Sequence, residues 1–391
     1  MIKTVGLLAL CQALVLSSTS LVMTSSALVG LAIAPDSSLA TLHLGICYTT
    51  VMVALIPVSL AMQKYGRIRG FTLGALCGLA GGLLAGYGIY TGSFLVFCLA
   101  AIPQGIAMAS GQFFRFAAAE VASEEYRSRA ISWVLAGGLA AAFIGPSLAT
   151  YTRDTLNLPP FSVSYSLIAA LNLGILLCLV ILNLPRIEQT AHPQPRRPLR
   201  EIVVQPAFVA AVACAMIAYG VMNLLMTSTP LAMGDRDLAF RQTATVIQWH
   251  IVGMFAPSFF TGSLIHRFGV FRVMLVGVLF LGICVVFSLG NQDFYAFLIA
   301  LVCLGIGWNF LFVGGTTLLT EVYRPSEKGL IQGLNDFLVF FAVSCTALLS
   351  GYLHFHLGWT NLNLLVVPAL GIALLSIFWA VLRRGSAARV T

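Results

Sequence analysis

Runs of about twenty or more apolar residues follow one another along almost the whole chain, near 5–33, 39–62, 71–92, 94–118, 130–151, 163–185, 206–233, 243–265, 273–290, 294–320, 330–352 and 361–382. About 20 residues of helix cross the hydrocarbon core of a bilayer. Only a helix or a closed barrel satisfies its own backbone there, and runs of this length are helical. The expectation is an all-α membrane protein with twelve transmembrane helices. Composition agrees, at 59% hydrophobic and 9% charged residues over 391 positions, where a soluble domain is about a quarter charged. The start, Met1-Ile2-Lys3 and an apolar run, has the look of a secretory signal, but the run continues to Ala34, beyond a signal core of about 7–15 residues.

Charge gives the orientation. With both ends in the cytoplasm, inner loops and ends hold 18 of the 21 Lys and Arg residues, leaving Arg153, Arg236 and Arg241 outside. Positive charge stays on the cytoplasmic side, so a multi-pass inner-membrane protein with both termini cytoplasmic is expected. The +8 formal charge thus needs no nucleic-acid partner. The nine cysteines all fall inside apolar runs and form no disulfide framework.

The most polar stretch contains His192-Pro193-Gln194-Pro195-Arg196-Arg197-Pro198. It divides the chain into 1–185, a six-helix bundle; 186–205, a cytoplasmic linker; and 206–391, a second six-helix bundle. The two parts repeat at an offset near 203. Gln63-Lys64-Tyr65-Gly66-Arg67-Ile68-Arg69 follows the second span, and His266-Arg267-Phe268-Gly269-Val270-Phe271-Arg272 follows the eighth. Glu120 precedes Arg127 by seven residues, and Glu321 precedes Lys328 by seven. Two pseudo-symmetric bundles around a central site are expected. With the basic-Xaa-Gly loops, the split linker and Gly145-Pro146 in the fifth span, the whole chain resembles the major facilitator superfamily. It departs from that pattern at Gln63, His266, Ser59 and Ala149.

The seventh span carries Met222 and Met226, and the eighth His250 and Met254. Each pair is spaced i, i+4 and lies on one helical face. About a turn near residue 238, Met226 and His250 are each twelve residues away, and Met222 and Met254 sixteen. Thioethers and imidazole form a soft site that selects Cu(I), and an ionisable residue inside a membrane helix points to function. The plain alternative is methionine packing. The two pairs resemble those of copper importers of the superfamily that supply cytochrome oxidase assembly. That resemblance implies that Met222, Met226, His250 and Met254 bind copper. The repeat offset adds Met23 and Cys47 as partners from the first half. Relatives of the same family import riboflavin, and Trp308 and Asn309 in the tenth span suit such an aromatic substrate.

Glu120 with Arg127 and Glu321 with Lys328 are read as cytoplasmic gates, joined by Asp336, which also suits a structural partner for a loop arginine. Phosphate-loop, Ser-His-Asp and metalloprotease motifs are absent from the sequence. The chain is therefore expected to be a transporter and not an enzyme, with no cofactor. Copper import by alternating access is the main reading, with the bilayer and cytoplasmic copper carriers as partners. The alternative is import of a small organic molecule such as riboflavin. A non-transporting membrane sensor is a third reading, disfavoured because no long polar stretch stands apart from the spans.

Overall fold

The computed structural model describes residues 2–123, 126–182, 184 and 197–387. All regular structure among them is helical. The first half holds α1 (Ile2–Ile33), α2 (Leu42–Tyr65), α3 (Arg67–Tyr90), α4 (Phe94–Gly111), α5 (Phe114–Val121), α6 (Arg127–Thr152) and α7 (Ser162–Ile181). A short α8 (Leu199–Val203) leads into α9 (Pro206–Gly234), α10 (Phe240–Phe255), α11 (Ser258–Phe268), α12 (Val270–Ser288), α13 (Phe294–Thr320), α14 (Lys328–Leu364) and α15 (Val366–Ala387).

Among the described residues nine segments are long and apolar enough to cross a membrane. Several expected spans are interrupted, each for a local reason. The fourth breaks after Gly111 and resumes as α5. The eighth breaks into α10 and α11 at Pro257, which has no N–H to carry a helix through. The eleventh runs on to Gly358, whose φ of 74° and ψ of 166° turn the chain out of the helix. That turn joins it to the twelfth, so the two form one continuous apolar segment, Lys328–Arg384.

The two halves have cores of their own. One buried cluster is built from Val5, Leu8, Phe71, Phe114 and Ile175 of the first half. Another draws on Phe208, Met222, Met274, Phe297 and Leu311 of the second. The sequence repeat reappears in backbone angles. Gly66 caps α3 at φ 94°, ψ 153°, and Gly269, 203 residues later, caps α12 at φ 85°, ψ 150°. Only glycine tolerates that region, so both loops need it in the same place.

Ion pairs mark the face where the linker lies. Arg67 Nε donates to Glu120 at 2.6 Å, and Arg384 pairs with Glu321. These differ from the expected gate pairs. Arg67 sits on the turn into α3 beside the end of α5, which gives Glu120 a nearer cation than its own helix does. The side chain of Arg127 lies outside the described residues, and among those described no ion pair joins Glu321 to Lys328. Of the expected linker, residues 186–196 also lie outside them. Arg197 is docked onto the second half. Its guanidinium donates to Glu327 at 2.9 and 2.7 Å and to the Val322 carbonyl at 2.9 Å.

Hydrogen bonds from Arg197 hold the Glu327 carboxyl well below the usual carboxylate range, helped by the backbone N–H groups of Arg324 and Arg197. A lowered carboxylate pKa adds stability that is full above the unfolded value of about 4.3 and fades as pH falls below it. Glu327→Gln is therefore expected to lower the melting temperature at pH 7, with the gap to wild type narrowing at strongly acidic pH. Equal melting temperatures at pH 7 would remove the clamp.

On the opposite face the halves touch. The Gly351 N–H donates to the Thr41 hydroxyl at 2.9 Å, and the Thr49 and Ser344 hydroxyls are bonded. The Phe161 and Phe240 rings meet edge to face at 5.0 Å, with the Arg153 cation over both at 5.5 and 5.1 Å. Closed there, the molecule is open toward the linker face.

Candidate functional site

Between the halves lies a cavity of about 700 Å³, lined by Gln12, Ser59, Gln112 and Arg115 of the first half and by Tyr219, Ser258, Trp308, Asn309, Phe312 and Asp336 of the second. Its volume is in the range of about 300–1,000 Å³ that ligand sites occupy. Toward the linker face its walls include Phe113, Phe116, Gly329 and Leu330, from the ends of helices that meet that face.

One wall is aromatic. Trp308 and Phe312, one turn apart on α13, have ring centroids 5.1 Å apart and planes inclined by 12°. Tyr219 of α9 stands edge-on to both, at 5.1 and 5.2 Å. Such pairs fix ring orientation, so the three rings are held rigidly, two nearly parallel and one across them. The Trp308 side chain is buried and its indole N–H has no hydrogen-bond partner among the described residues. Two opposite charges face each other from the two halves. Arg115 lies over the Phe116 ring at 4.9 Å, and it and Asp336 line the same cavity from the two halves. The Asp336 carboxylate also accepts from Asn335 Nδ2 at 3.1 Å.

Trp308 and Asn309, expected to meet an aromatic substrate, both line the cavity, but the amide of Asn309 is already committed. Its Nδ2 donates to the Met254 carbonyl at 2.7 Å and to the Ser258 hydroxyl at 2.6 Å, and its Oδ1 accepts from Thr261 at 2.6 Å. The break at Pro257 leaves the Met254 carbonyl without its helical donor, and Asn309 supplies one. Asn309→Leu is expected to destabilise the protein by about 1–3 kcal/mol, the cost of stranding buried polar groups, seen as a lower melting temperature in detergent. An unchanged melting temperature would make the staple dispensable.

The expected copper residues sit elsewhere. Met222 and Met226 are fully buried in the core of the second half, and Met254 packs there too. His250 is buried, and its Nδ1–H donates to the Leu301 carbonyl at 2.7 Å. Cys47 is buried with its thiol 3.9 Å from Gln104 Oε1, and Met23 is half-buried between the halves. None of the six is among the residues that line the cavity. Tyr219, Phe312 and Gln12 carry no sequence signal that sets them apart from neighbouring packing residues.

The family model for the Major Facilitator Superfamily matches residues 8–256 and 212–390. Over 388 residues the chain is 37% identical to the riboflavin transporter RfnT of Brucella anthropi, covering 99% of this chain and 98% of that protein. It is 28% identical to an uncharacterized MFS-type transporter, YddS, of Bacillus subtilis, over 80% of this chain and 76% of that one. Among solved structures it resembles a D-xylose–proton symporter, with a TM-score of 0.74, 16% identity and 97% of each chain covered. It also resembles a bacterial homologue of the lysosomal transporter Spinster, with a TM-score of 0.70, 12% identity, and 97% and 95% covered. These findings overturn the expectation of copper import, and copper carriers leave the list of partners with it. A relative that matches almost end to end is named for riboflavin. The methionines pack in the core of the second half, and His250, with Nδ1 on the Leu301 carbonyl and Nε2 without a partner among the described residues, lies with them away from the cavity.

Proposed function

The chain belongs to the Major Facilitator Superfamily, and on that premise we propose that it imports riboflavin across the bacterial inner membrane by alternating access of its two halves. It is a multi-pass membrane transporter, not an enzyme, and needs no cofactor. The observation that carries the substrate is the aromatic cluster of Tyr219, Trp308 and Phe312 in the wall of a 700 Å³ cavity, in a chain 37% identical over its length to a riboflavin transporter. A tricyclic ring lies against that wall, and its polyol tail reaches the polar groups near Arg115 and Asp336.

Residues 1–185 and 206–391 move as two bundles of six spans each, with the linker face in the cytoplasm. The separate cores and the Gly66/Gly269 repeat support this division, and the charge bias supports the orientation. The linker-face gate closes when α5 approaches α14 and Arg115 pairs with Asp336. Glu120, held by Arg67, and Glu321, held by Arg384, brace the same face. Lys328, at the start of α14, exchanges partners in this reading as the gate shuts.

The test is growth. A riboflavin-requiring bacterium lacking its own importer should grow on low riboflavin only when it expresses this chain. Failure to grow, with the protein present in the membrane, sinks the proposal.

A further inference from the structure

Three side chains in the cavity wall, Gln12, Arg115 and Trp308, hold a buried polar atom with no hydrogen-bond partner among the described residues; two of them, Gln12 and Trp308, are neutral. Gln12 of α1 is 8% exposed and Trp308 of α13 is 6% exposed. Gln12 Oε1 and Trp308 Nε1 have no hydrogen-bond partner among the described residues, and both residues line the cavity. They come from opposite halves. A buried polar group left unpaired is costly, and natural proteins keep such groups where something else completes them.

The two atoms differ in kind. An indole N–H only donates. A glutamine amide presents an acceptor oxygen beside a two-proton donor. Together they offer donor, acceptor, donor. The complementary edge is acceptor, donor, acceptor, which is a cyclic imide, C(=O)–NH–C(=O). The isoalloxazine ring of riboflavin ends in that group. Its polyol tail does not match the pattern, and neither does its dimethylbenzene end. Phe312 and Tyr219 hold the Trp308 ring, which fixes the direction of its N–H within the indole plane.

We infer that Gln12 and Trp308 read the imide edge of the flavin ring, Gln12 accepting the ring N–H and donating to one carbonyl while Trp308 donates to the other. Because the residues belong to different halves, the bound ring bridges them. This assignment rests on the riboflavin reading and adds the orientation of the ring. It sets the specificity: flavins with a free imide N–H are preferred over those blocked there.

Binding to the purified protein, read by quenching of flavin fluorescence, tests this with riboflavin and its N3-methyl derivative as probes. Wild type is expected to bind the methylated compound about tenfold more weakly, the factor that one hydrogen bond of ordinary strength carries. Gln12→Ala should bind both compounds alike. Trp308→Phe should keep the preference while weakening both. If Gln12→Ala does not reach the membrane, Gln12→Met, which keeps length, takes its place with the same expectation. Equal binding of the two compounds by wild type overturns the inference, as does a preference that survives in the Gln12 variant. Either result leaves riboflavin transport standing. No binding of riboflavin by folded wild type overturns the inference and the proposed function together.

Discussion

Trp308→Ala is expected to lower riboflavin uptake by one to two orders of magnitude at limiting substrate. The ring it removes belongs to the aromatic cluster in the cavity wall and is held nearly parallel to Phe312 at 5.1 Å. Stacking of a heteroaromatic ring on an aromatic side chain is worth about 1–3 kcal/mol, and each 1.4 kcal/mol is tenfold in affinity. The loss should appear in the concentration needed for half-maximal uptake more than in the maximal rate. Trp249, 45% exposed and not among the residues of the cavity wall, is the control, and Trp249→Ala should leave uptake near wild type. Trp308→Phe should fall between the two. Initial rates of labelled riboflavin uptake, normalised to protein in the membrane, measure all three. An unchanged Trp308→Ala variant would place the substrate elsewhere.

The charge pair across the cavity predicts the second large effect. Arg115→Glu puts like charge opposite Asp336. Two like charges about 4 Å apart near a protein surface repel by about 4 kcal/mol, which would reduce the population closed on the linker face roughly a thousandfold. Uptake should collapse. Asp336→Arg should do the same by opposing Arg115. The double variant, Arg115→Glu with Asp336→Arg, restores attraction with the signs exchanged and should recover a measurable part of transport. Recovery distinguishes a gate from a general folding defect, since a misfolded single variant is not mended by a second charge reversal. Full uptake by either single variant would mean that the two charges never meet.

The membrane class was the most legible part of the sequence, because apolar length and backbone satisfaction in lipid leave few alternatives. The repeat was legible at Gly66 and Gly269, where one residue type is forced by the backbone. The breaks at 112–113 and 257 lay hidden inside continuous apolar runs. Pro257 was visible, but whether a membrane proline breaks or bends its helix depends on what replaces the lost hydrogen bond, and here the partner, Asn309, is 52 positions further on. The cations that Glu120 and Glu321 meet in the structure come from distant positions for the same reason. Glu120 finds Arg67 across 53 residues, while sequence spacing favoured the nearer Arg127.

The copper site shows how residue type misleads when burial is unknown. Met226 was placed level with His250, and Met222 with Met254, but depth does not say which way a side chain points. The methionines face the core of their own half, and the histidine ring spends its N–H on Leu301. Trp308, read from the sequence as a contact for an aromatic substrate, lines the cavity. Gln12 was passed over, since one amide in an apolar first helix carries no pattern until the cavity it borders is known.

The most direct measurement is uptake by purified protein reconstituted in liposomes, with labelled riboflavin and Cu(I) offered separately. The account predicts entry of riboflavin that saturates and that an excess of unlabelled riboflavin suppresses. It also predicts no copper entry above that of protein-free vesicles. Copper accumulation without riboflavin entry would contradict it.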